Sequence, residues 1–360
     1  MAQVRSWAGF DVHAAKVVAA ALDGRSGELR FQRLSGATRE VVGFCRSLPG
    51  PVKVAYEAGP TGFGLARELA AVGVECVVAA PGKIARAPQD RVKTDRRDAE
   101  RLVRLLMAGE LHAVRVPGTE EEALRDLVRA REDLRGDLMR ARHRVGKLLL
   151  RHDVRFDGNN WTQAHRAWLA GVRLAEPAAQ SVLEDGLGAI DALLVRRESL
   201  ERQMTALVPS SPWAGEVARL RCLRGIDTLT ALGLCAEIGD FSRFGRPAQL
   251  MSYLGLVPSE NTTGDKRRLG SITKSGSQHA RRLLVEAAWH YRRAPRVAGE
   301  LTRRQQGQPQ HVTAISWQAQ RRLHRTWQRL DLERGKRRSL VAVAVARELA
   351  GFCWAVSTAD

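Results

Sequence analysis

The chain has 360 residues, of which 44% are hydrophobic, and its 58 Lys and Arg against 39 Asp and Glu give a formal net charge of +19. This composition excludes a disordered chain, and the length predicts two or more domains with packed cores. The five cysteines never form a Cys-X-X-Cys pair, which excludes a cysteine zinc site and a disulfide scaffold and favours the cytoplasm. The longest apolar stretch, 340–356, contains Arg347 and Glu348. It therefore predicts a buried helix, and no membrane partner is expected.

The first hundred residues alternate between strand-like and helix-like stretches. Strands are predicted at 6–10, 16–22 and 28–34, with a hairpin turn at Asp23-Gly24. A helix, a strand, a second helix and a last strand are predicted at 38–48, 52–56, 61–72 and 74–80. An antiparallel start followed by strand–helix alternation predicts a mixed α/β sheet with helices on its faces.

From Asp95 onwards the pattern is helical. The apolar spacing of 119–152 predicts a long amphipathic or coiled-coil helix, and 178–208 predicts a second one. A Pro-Ser-Ser-Pro linker then precedes a compact helical region with Gly-rich turns. We therefore expect four parts: an α/β domain, a long-helix linker domain, a mainly α domain and a basic helical C-terminal extension, at 1–115, 116–212, 213–300 and 301–360.

Most of the excess positive charge lies in one segment. Residues 243–338 contain 21 Lys and Arg against 6 Asp and Glu, a net charge of +15. Such a segment favours a nucleic acid partner, because its phosphates are neutralised with release of counterions; a solvated basic face is the alternative. The candidate contacts to nucleic acid are Lys266, Arg267, Arg268, Lys274, Arg281 and Arg282.

Four acidic residues lie where a sheet and a helix would bring them together. Asp11 follows an apolar strand, Glu57 ends another, and Asp95 and Asp98 share one face at the start of a helix. Singly, each is more often a turn or helix-start residue. Together they predict a site for a pair of divalent cations about 3.5–4 Å apart, as in phosphodiester cleavage and transfer. Mg²⁺ is the expected ion because all the ligands are oxygens; His13 is either a supporting donor or a surface residue.

The basic segment also contains a stretch rich in hydroxyl groups, at 259–277. Hydroxyls flanked by Lys and Arg either bind or attack a phosphate, or belong to a polar loop that only positions a nucleic acid backbone. Upstream, 220–238 is typical of a helix-hairpin-helix, whose Gly turn and helix N-terminus bind phosphate. Asp227 puts a negative charge at that position, so this turn is either a phosphate site or purely structural.

Five motifs in this order resemble the insertion-sequence-110 family of transposases, which are RNA-guided DNA recombinases. The matching stretches are GFDVH, YEAGPTGFGLA, DRVKTDRRDAERLVRLL, LRGIDTLTALGLCAEIGDFSRF and LMSYLGLVPSENTTGDKRRLGSITKSGSQHARRLLVEAAWHYR, at 9–13, 56–66, 90–106, 223–244 and 250–292.

The resemblance implies an RNase H-like domain of the Holliday-resolvase type, a coiled-coil segment and a mainly α transposase domain with the helix-hairpin-helix-like element. It implies a metal tetrad at Asp11, Glu57, Asp95 and Asp98, with Mg²⁺, two ions, as the cofactor. The nucleophile of many relatives is a Ser just before a Gly. Here Thr263 precedes Gly264, with Thr262 beside it, and Ser271 and Ser275 are weaker candidates.

The implied reaction is excision and reinsertion of a mobile element through a covalent protein–DNA intermediate. The implied partners are DNA, a structured non-coding guide RNA and further copies of the chain, as a dimer and a synaptic tetramer, in the cytoplasm at the nucleoid. One alternative is a metal-dependent, structure-specific nuclease without a covalent intermediate, in which loss of the Thr263 hydroxyl leaves cleavage intact. Others are a nucleic-acid-binding protein with structural carboxylates and a sugar-kinase-like ATPase, for which 59–64 is a poor phosphate loop.

Overall fold

The computed structural model describes residues 3–85, 94–263, 266 and 268–359. The chain divides into two compact units, one ending at Gly118 and the other beginning at Thr119. The predicted nucleic-acid contact Arg267 lies outside the described residues, as does the Asp90–Lys93 part of the third motif.

The first unit contains a five-stranded mixed sheet. Its strand order is β3-β2-β1-β4-β5, in which β1, β2 and β3 are antiparallel neighbours and β1, β4 and β5 are parallel. The mixed sheet predicted from the sequence is therefore confirmed, with strand ends within two residues of expectation. The strands are β1 (Ser6–Val12), β2 (Lys16–Asp23), β3 (Leu29–Ser35), β4 (Val52–Glu57) and β5 (Glu75–Ala79).

Helices cover both faces of this sheet. Helices α1 (Thr38–Ser47) and α2 (Gly64–Ala71) pack on the face that buries Phe10 and Tyr56. Helix α3 (Asp95–Ala108) packs on the other face, against alternate residues of β2. The two faces follow from the alternation of side chains along each strand.

Helix α3 approaches β1 closely because Gly9 has no side chain. A Cβ atom at Gly9 would lie 2.5 Å from the carbonyl oxygen of Ala99 and 2.8 Å from the backbone nitrogen of Val103. Both are backbone atoms of α3, so any larger residue would push the helix away from the sheet. Gly9 therefore fixes the distance between α3 and the strand that carries Asp11.

The second unit is mainly helical. The two long helices predicted from the sequence are present and pack along each other, and a short two-stranded antiparallel sheet that was not predicted interrupts the later helices. The helices are α4 (Thr119–Arg151), α5 (Gln163–Gly171), α6 (Pro177–Leu207), α7 (Ala214–Leu220), α8 (Thr228–Ile238), α9 (Pro247–Tyr253), α10 (Gln278–Ala288), α11 (Glu300–Gln305), α12 (Gln310–Gln328) and α13 (Arg338–Thr358), and the strands are β6 (Pro258–Glu260) and β7 (Leu269–Ile272).

Helix α13 is long and apolar enough, by length and composition, to cross a membrane. Its Val345 and Leu349 are instead fully buried in a core shared with α8, α10 and α12. Glu348 accepts a hydrogen bond from Arg322 of α12 (2.8 Å). The helix is a core element of this unit, and one hydrophobic core runs across residue 300.

Candidate active site and nucleic-acid interface

The register of two parallel strands places Asp11 beside Glu57. Phe10 of β1 is paired with Tyr56 of β4, and both side chains are buried in the same core. The next residue on each strand points to the opposite face, which α3 covers. Asp11 is also paired with Val18 of β2, which packs against α3.

The first turn of α3 brings the other two carboxylates to this edge. Thr94 caps the helix by accepting a hydrogen bond from the backbone N–H of Arg97 (3.3 Å), and Asp95 and Asp98 follow in the first turn. Carboxylates are favoured there by the helix dipole. One oxygen each of Asp11 and Asp95 and one ring nitrogen of His13 lie within 4.8 Å of one another.

Burial and charge repulsion make this cluster attractive to a cation. Burial raises the pKa of Asp11, and the nearby carboxylates of Asp95 and Asp98 raise it further. His13 opposes this rise, with Nε2 at 3.2 Å from Asp11 Oδ2. A hydrogen bond from Lys16 Nζ to Asp95 Oδ2 (2.5 Å) lowers the pKa of Asp95. The Asp95 carboxylate is thus ionised and already binds one cationic group, the Lys16 ammonium, as expected of a carboxylate that can bind a metal ion.

The predicted tetrad is only partly drawn together. Glu57 is exposed, and neither Glu57 nor Asp98 belongs to the close group. Asp98 instead accepts a hydrogen bond from Arg101 Nη1 (2.7 Å), three residues along α3. Lys16 and Arg101 were not among the residues predicted from the sequence. Strand alternation, which places Lys16 on the face of Val18, and the i, i+3 spacing were the signals that could have found them.

The hydroxyl-rich stretch forms a small hairpin of β6 and β7. Near its tip, Thr263 and Lys266 exchange backbone hydrogen bonds of 3.4 and 3.3 Å. Both residues are exposed. The Thr262 hydroxyl donates to Glu260 Oε1 (2.7 Å), so of the two adjacent threonines Thr262 already has a side-chain partner.

Comparisons with known proteins identify the family to which this chain is similar. A family model described as Transposase, of the DEDD type found in IS110, matches residues 8–152, and one described as Transposase IS116/IS110/IS902 family matches 217–303. The chain is 41% identical to putative transposase y4qE of Sinorhizobium fredii, over 98% of this chain and 88% of the relative. It is 32% identical to the transposase for insertion sequence element IS1533 of Leptospira borgpetersenii, over 92% of this chain and 98% of the relative.

The chain belongs to the IS116/IS110/IS902 family of transposases. It is therefore a DNA transposase, an enzyme that binds DNA and rearranges its strands, and the resemblance drawn from the sequence motifs is confirmed. The family match and the acidic group at the sheet edge together indicate a divalent metal ion.

In the transposase, a tightly packed turn holds the base of the hairpin. Lys274 has a left-handed backbone (φ +57°), and a Cβ on Gly255 would lie 2.3 Å from the Ser275 nitrogen. Arg281 Nη1 donates to the carbonyl oxygens of Leu254 (3.2 Å), Ser275 (2.5 Å) and Gly276 (3.1 Å). Arg281 therefore stabilises this turn by joining its carbonyl oxygens through one guanidinium group.

The six predicted nucleic-acid contacts differ in their surroundings. Arg282 makes two hydrogen bonds to Glu132 of α4 (3.1 and 2.5 Å) and one to Glu286 (2.7 Å). Its guanidinium, like that of Arg281, is directed at protein groups. The side chains of Lys266, Arg268 and Lys274 are exposed. Among the described residues of the prediction, these three are the ones best placed to meet a phosphate backbone.

The helix-hairpin-helix-like segment has a capped helix instead of an open phosphate site. Asp227 caps α8 by accepting a hydrogen bond from the backbone N–H of Thr230 (2.8 Å). This carboxylate takes up a donor that a phosphate would need. Close by, a basic cavity of about 700 Å³ is lined by Arg224, Arg293, Arg296 and Arg304, among others.

Proposed function

We propose that this transposase excises and reinserts a mobile DNA element by strand exchange, using a Thr hydroxyl and a metal-dependent acidic tetrad. The observation that supports this most is the close group of Asp11, His13 and Asp95 at one sheet edge, in a chain of this family. The tetrad is Asp11, Glu57, Asp95 and Asp98, and the nucleophile is Thr263.

We assign the first unit to the RNase H-like class, of the Holliday-resolvase type. Three antiparallel strands followed by two parallel ones, with α3 across the face that presents the acidic residues, support that assignment. The four-part division of the chain at residues 115, 212 and 300 belongs to the same proposal, with the last two parts sharing one hydrophobic core.

The proposed metal is Mg²⁺, as two ions, held by the carboxylates of the tetrad. When bound, it would activate an attacking oxygen and stabilise a leaving one. His13 hydrogen-bonds Asp11 and so orients that carboxylate, as residues outside a metal's direct ligands commonly do. Lys16 and Arg101 hydrogen-bond Asp95 and Asp98 at the start of α3.

Thr263 Oγ1 attacks a phosphorus atom of the DNA backbone. A new Oγ1–P bond replaces one P–O bond of the strand, and the proton lost by the hydroxyl is recovered by the leaving oxygen. The number of phosphodiester bonds stays constant, so the step needs no external energy source and reverses when a second DNA end attacks. Lys266, Arg268 and Lys274 hold the phosphates on either side.

A recombination assay tests this proposal, with a mini-element in its native flanking DNA and a denaturing gel that detects protein-linked DNA. We expect Asp98→Asn and Thr263→Ala to lose product and Thr263→Ser to keep part of it. The matched controls are Glu100→Gln, on the same helix and paired with Arg104, and Thr262→Ala. If Thr263→Ala still cleaves and no protein-linked DNA forms, the structure-specific nuclease replaces the recombinase.

The guide RNA, the dimer and synaptic tetramer, and a cytoplasmic location at the nucleoid complete the proposal. The basic segment 243–338 supports two kinds of nucleic acid partner, and the paired long helices α4 and α6 support assembly. Sequencing of RNA bound to the purified protein, with light scattering for mass, tests these points. Absence of an enriched structured RNA would contradict the guided reaction.

A further inference from the structure

A cavity of about 550 Å³ lies at the end of the helix pair α4–α6, where α4 gives way to α5. None of its lining residues belongs to the tetrad or to the β6–β7 hairpin. Its volume is in the range of small-ligand pockets.

Aromatic rings form one wall of this cavity. The Phe156 ring lies 5.2 Å from that of Trp168 and 4.9 Å from that of His165, and Trp161 lies 5.2 Å from His165, centroid to centroid. Phe156, Trp161 and Trp168 are only partly buried, so part of the aromatic surface faces solvent. Such a wall suits a flat, unpaired nucleobase, since every base has a π-face that stacks on indole or phenyl rings.

The Lys and Arg residues of the lining make the cavity cationic. Arg142, Lys147 and Arg155 line the cavity, and its described lining contains no Asp or Glu. The guanidinium carbon of Arg142 lies 5.0 Å from the Trp161 ring centroid, and burial together with Arg197 and Arg166 lowers the pKa of Arg142. Within the described chain, Arg142 Nε is buried without a hydrogen-bond partner. An anionic group would supply that partner and offset the charge.

The backbone of the wall is held in an unfavourable conformation. Trp161 has φ +65°, a region that bulky residues rarely occupy. Its N–H donates to Nδ1 of the buried His165 (3.1 Å), which fixes the turn and leaves Nε2 as the protonated nitrogen of the neutral ring. Strain of this kind is typical of binding sites, where the surrounding structure maintains it.

We propose that this cavity binds an unpaired nucleotide of a single-stranded nucleic acid, with the base against Trp161 and Phe156 and the phosphate near Arg142, Lys147 and Arg155. The shared chemistry is a π-face joined to an anion, and it is available from an RNA loop or from a displaced DNA strand. This site goes beyond the proposed strand exchange because it requires neither the tetrad nor Thr263.

The test measures binding of the full-length protein to a fluorescent uridine-rich RNA, to the matching single-stranded DNA and to the duplex. Trp161→Leu should weaken single-strand binding about tenfold, as expected for loss of one base stack, and Trp161→Phe should largely restore it. Lys147→Gln should weaken it more than Arg144→Gln, a change on the same helix and outside the cavity lining. Thermal melts followed by circular dichroism establish that each variant is folded.

Photocrosslinking locates the contact. A thiouridine RNA and a thiothymidine DNA should each be tested for crosslinks to the peptide around Trp161, and the strand that crosslinks is the natural source. Unchanged affinity of both Trp161→Leu and Lys147→Gln would overturn the proposal. So would an equal loss for single strand and duplex, or crosslinks confined to other segments. Normal crosslinking at this cavity in an Asp98→Asn protein that cannot recombine would support it independently of the proposed reaction.

Discussion

The two regions that share the proposed chemistry are built in opposite ways. Asp11 and Asp95 lie at the edge of a five-stranded sheet, with their backbones fixed by strand register and by the close approach of α3 at Gly9. Thr263 lies near the tip of a two-stranded hairpin whose described residues are exposed or half-buried. The position of the acidic group is therefore fixed by the core of its unit, whereas the position of the Thr263 hydroxyl depends on the turn that Arg281 stabilises at the base of the hairpin.

The largest effect should come from filling the space at Gly9. In Gly9→Ala the new methyl group meets backbone atoms of α3, and overpacking of this kind costs about 1–3 kcal/mol of stability. Displacement of Asp95 and Asp98 should also reduce strand cleavage about 100-fold. Gly43→Ala is the control, because nothing lies within 4 Å of a Cβ there and α1 covers the other face. Urea unfolding measures the stability of each variant, and a cleavage assay measures its activity. Equal stability and equal cleavage in the two variants would show that the site does not depend on the distance between α3 and the sheet.

A smaller loss should follow from loosening the hairpin. In Arg281→Lys the shorter side chain places its ammonium group one bond closer to the backbone than Nη1, out of reach of some of the three carbonyl oxygens, and unpaired part-buried carbonyls should cost about 1–2 kcal/mol. We expect strand exchange to fall while metal binding by the acidic group stays normal. Arg303→Lys, an exposed change on α11, should leave both strand exchange and metal binding unchanged. Unaltered strand exchange in Arg281→Lys would mean that the reaction does not depend on the hydrogen bonds of Arg281 to the turn.

The packing of α4, α8 and α10 around Glu237 should be sensitive to acid. Burial alone would raise the pKa of Glu237, but His279 and Arg129 of the adjoining helices outweigh it and lower this pKa to about 2. The unfolded chain, with a value near 4.5, binds the proton more readily. Stability should therefore be complete above about pH 5 and fall as the pH drops towards 2, by on the order of 3 kcal/mol.

Unfolding by urea across this pH range measures the slope. Glu237→Gln should flatten it, and Glu198→Gln, which changes an exposed side chain of α6, should leave it as in the wild type. A slope that persists in Glu237→Gln would assign the acid sensitivity to another carboxylate.

The smallest effect should be at the sheet edge itself. Lys16→Gln removes an ammonium group from Asp95, so Mn²⁺ or Mg²⁺ should bind roughly two- to fivefold more tightly, since one exposed charge changes the local potential only modestly. Lys53→Gln is matched to it, because Lys53 also pairs with an acid but lies near the other end of β4. Isothermal titration measures the affinity. Weaker binding in Lys16→Gln would mean that Lys16 positions Asp95 more than it competes with the metal.

These differences also explain what the sequence could predict. Alternation along β1 and β4 and the i, i+3 spacing on α3 depend on local periodicity, so the strands, the helices and the shared edge of Asp11 and Glu57 were predictable. The hairpin was not, because β6 and β7 are short and polar and are held by Arg281, a residue that follows them in the chain. Strand alternation indicates the face on which Lys16 lies, but not its partner, because Asp95 is 79 positions away in the chain.

The position of α13 bears on the order in which the protein forms during translation. All five strands of the first unit lie between residues 6 and 79, so its sheet can close while the ribosome is still synthesising α4. The second unit must wait, because Val345 and Leu349 complete a core begun by α8, more than a hundred residues earlier. A ribosome that stalls ahead of residue 338 would release a chain with a finished acidic edge and an open, aggregation-prone second core.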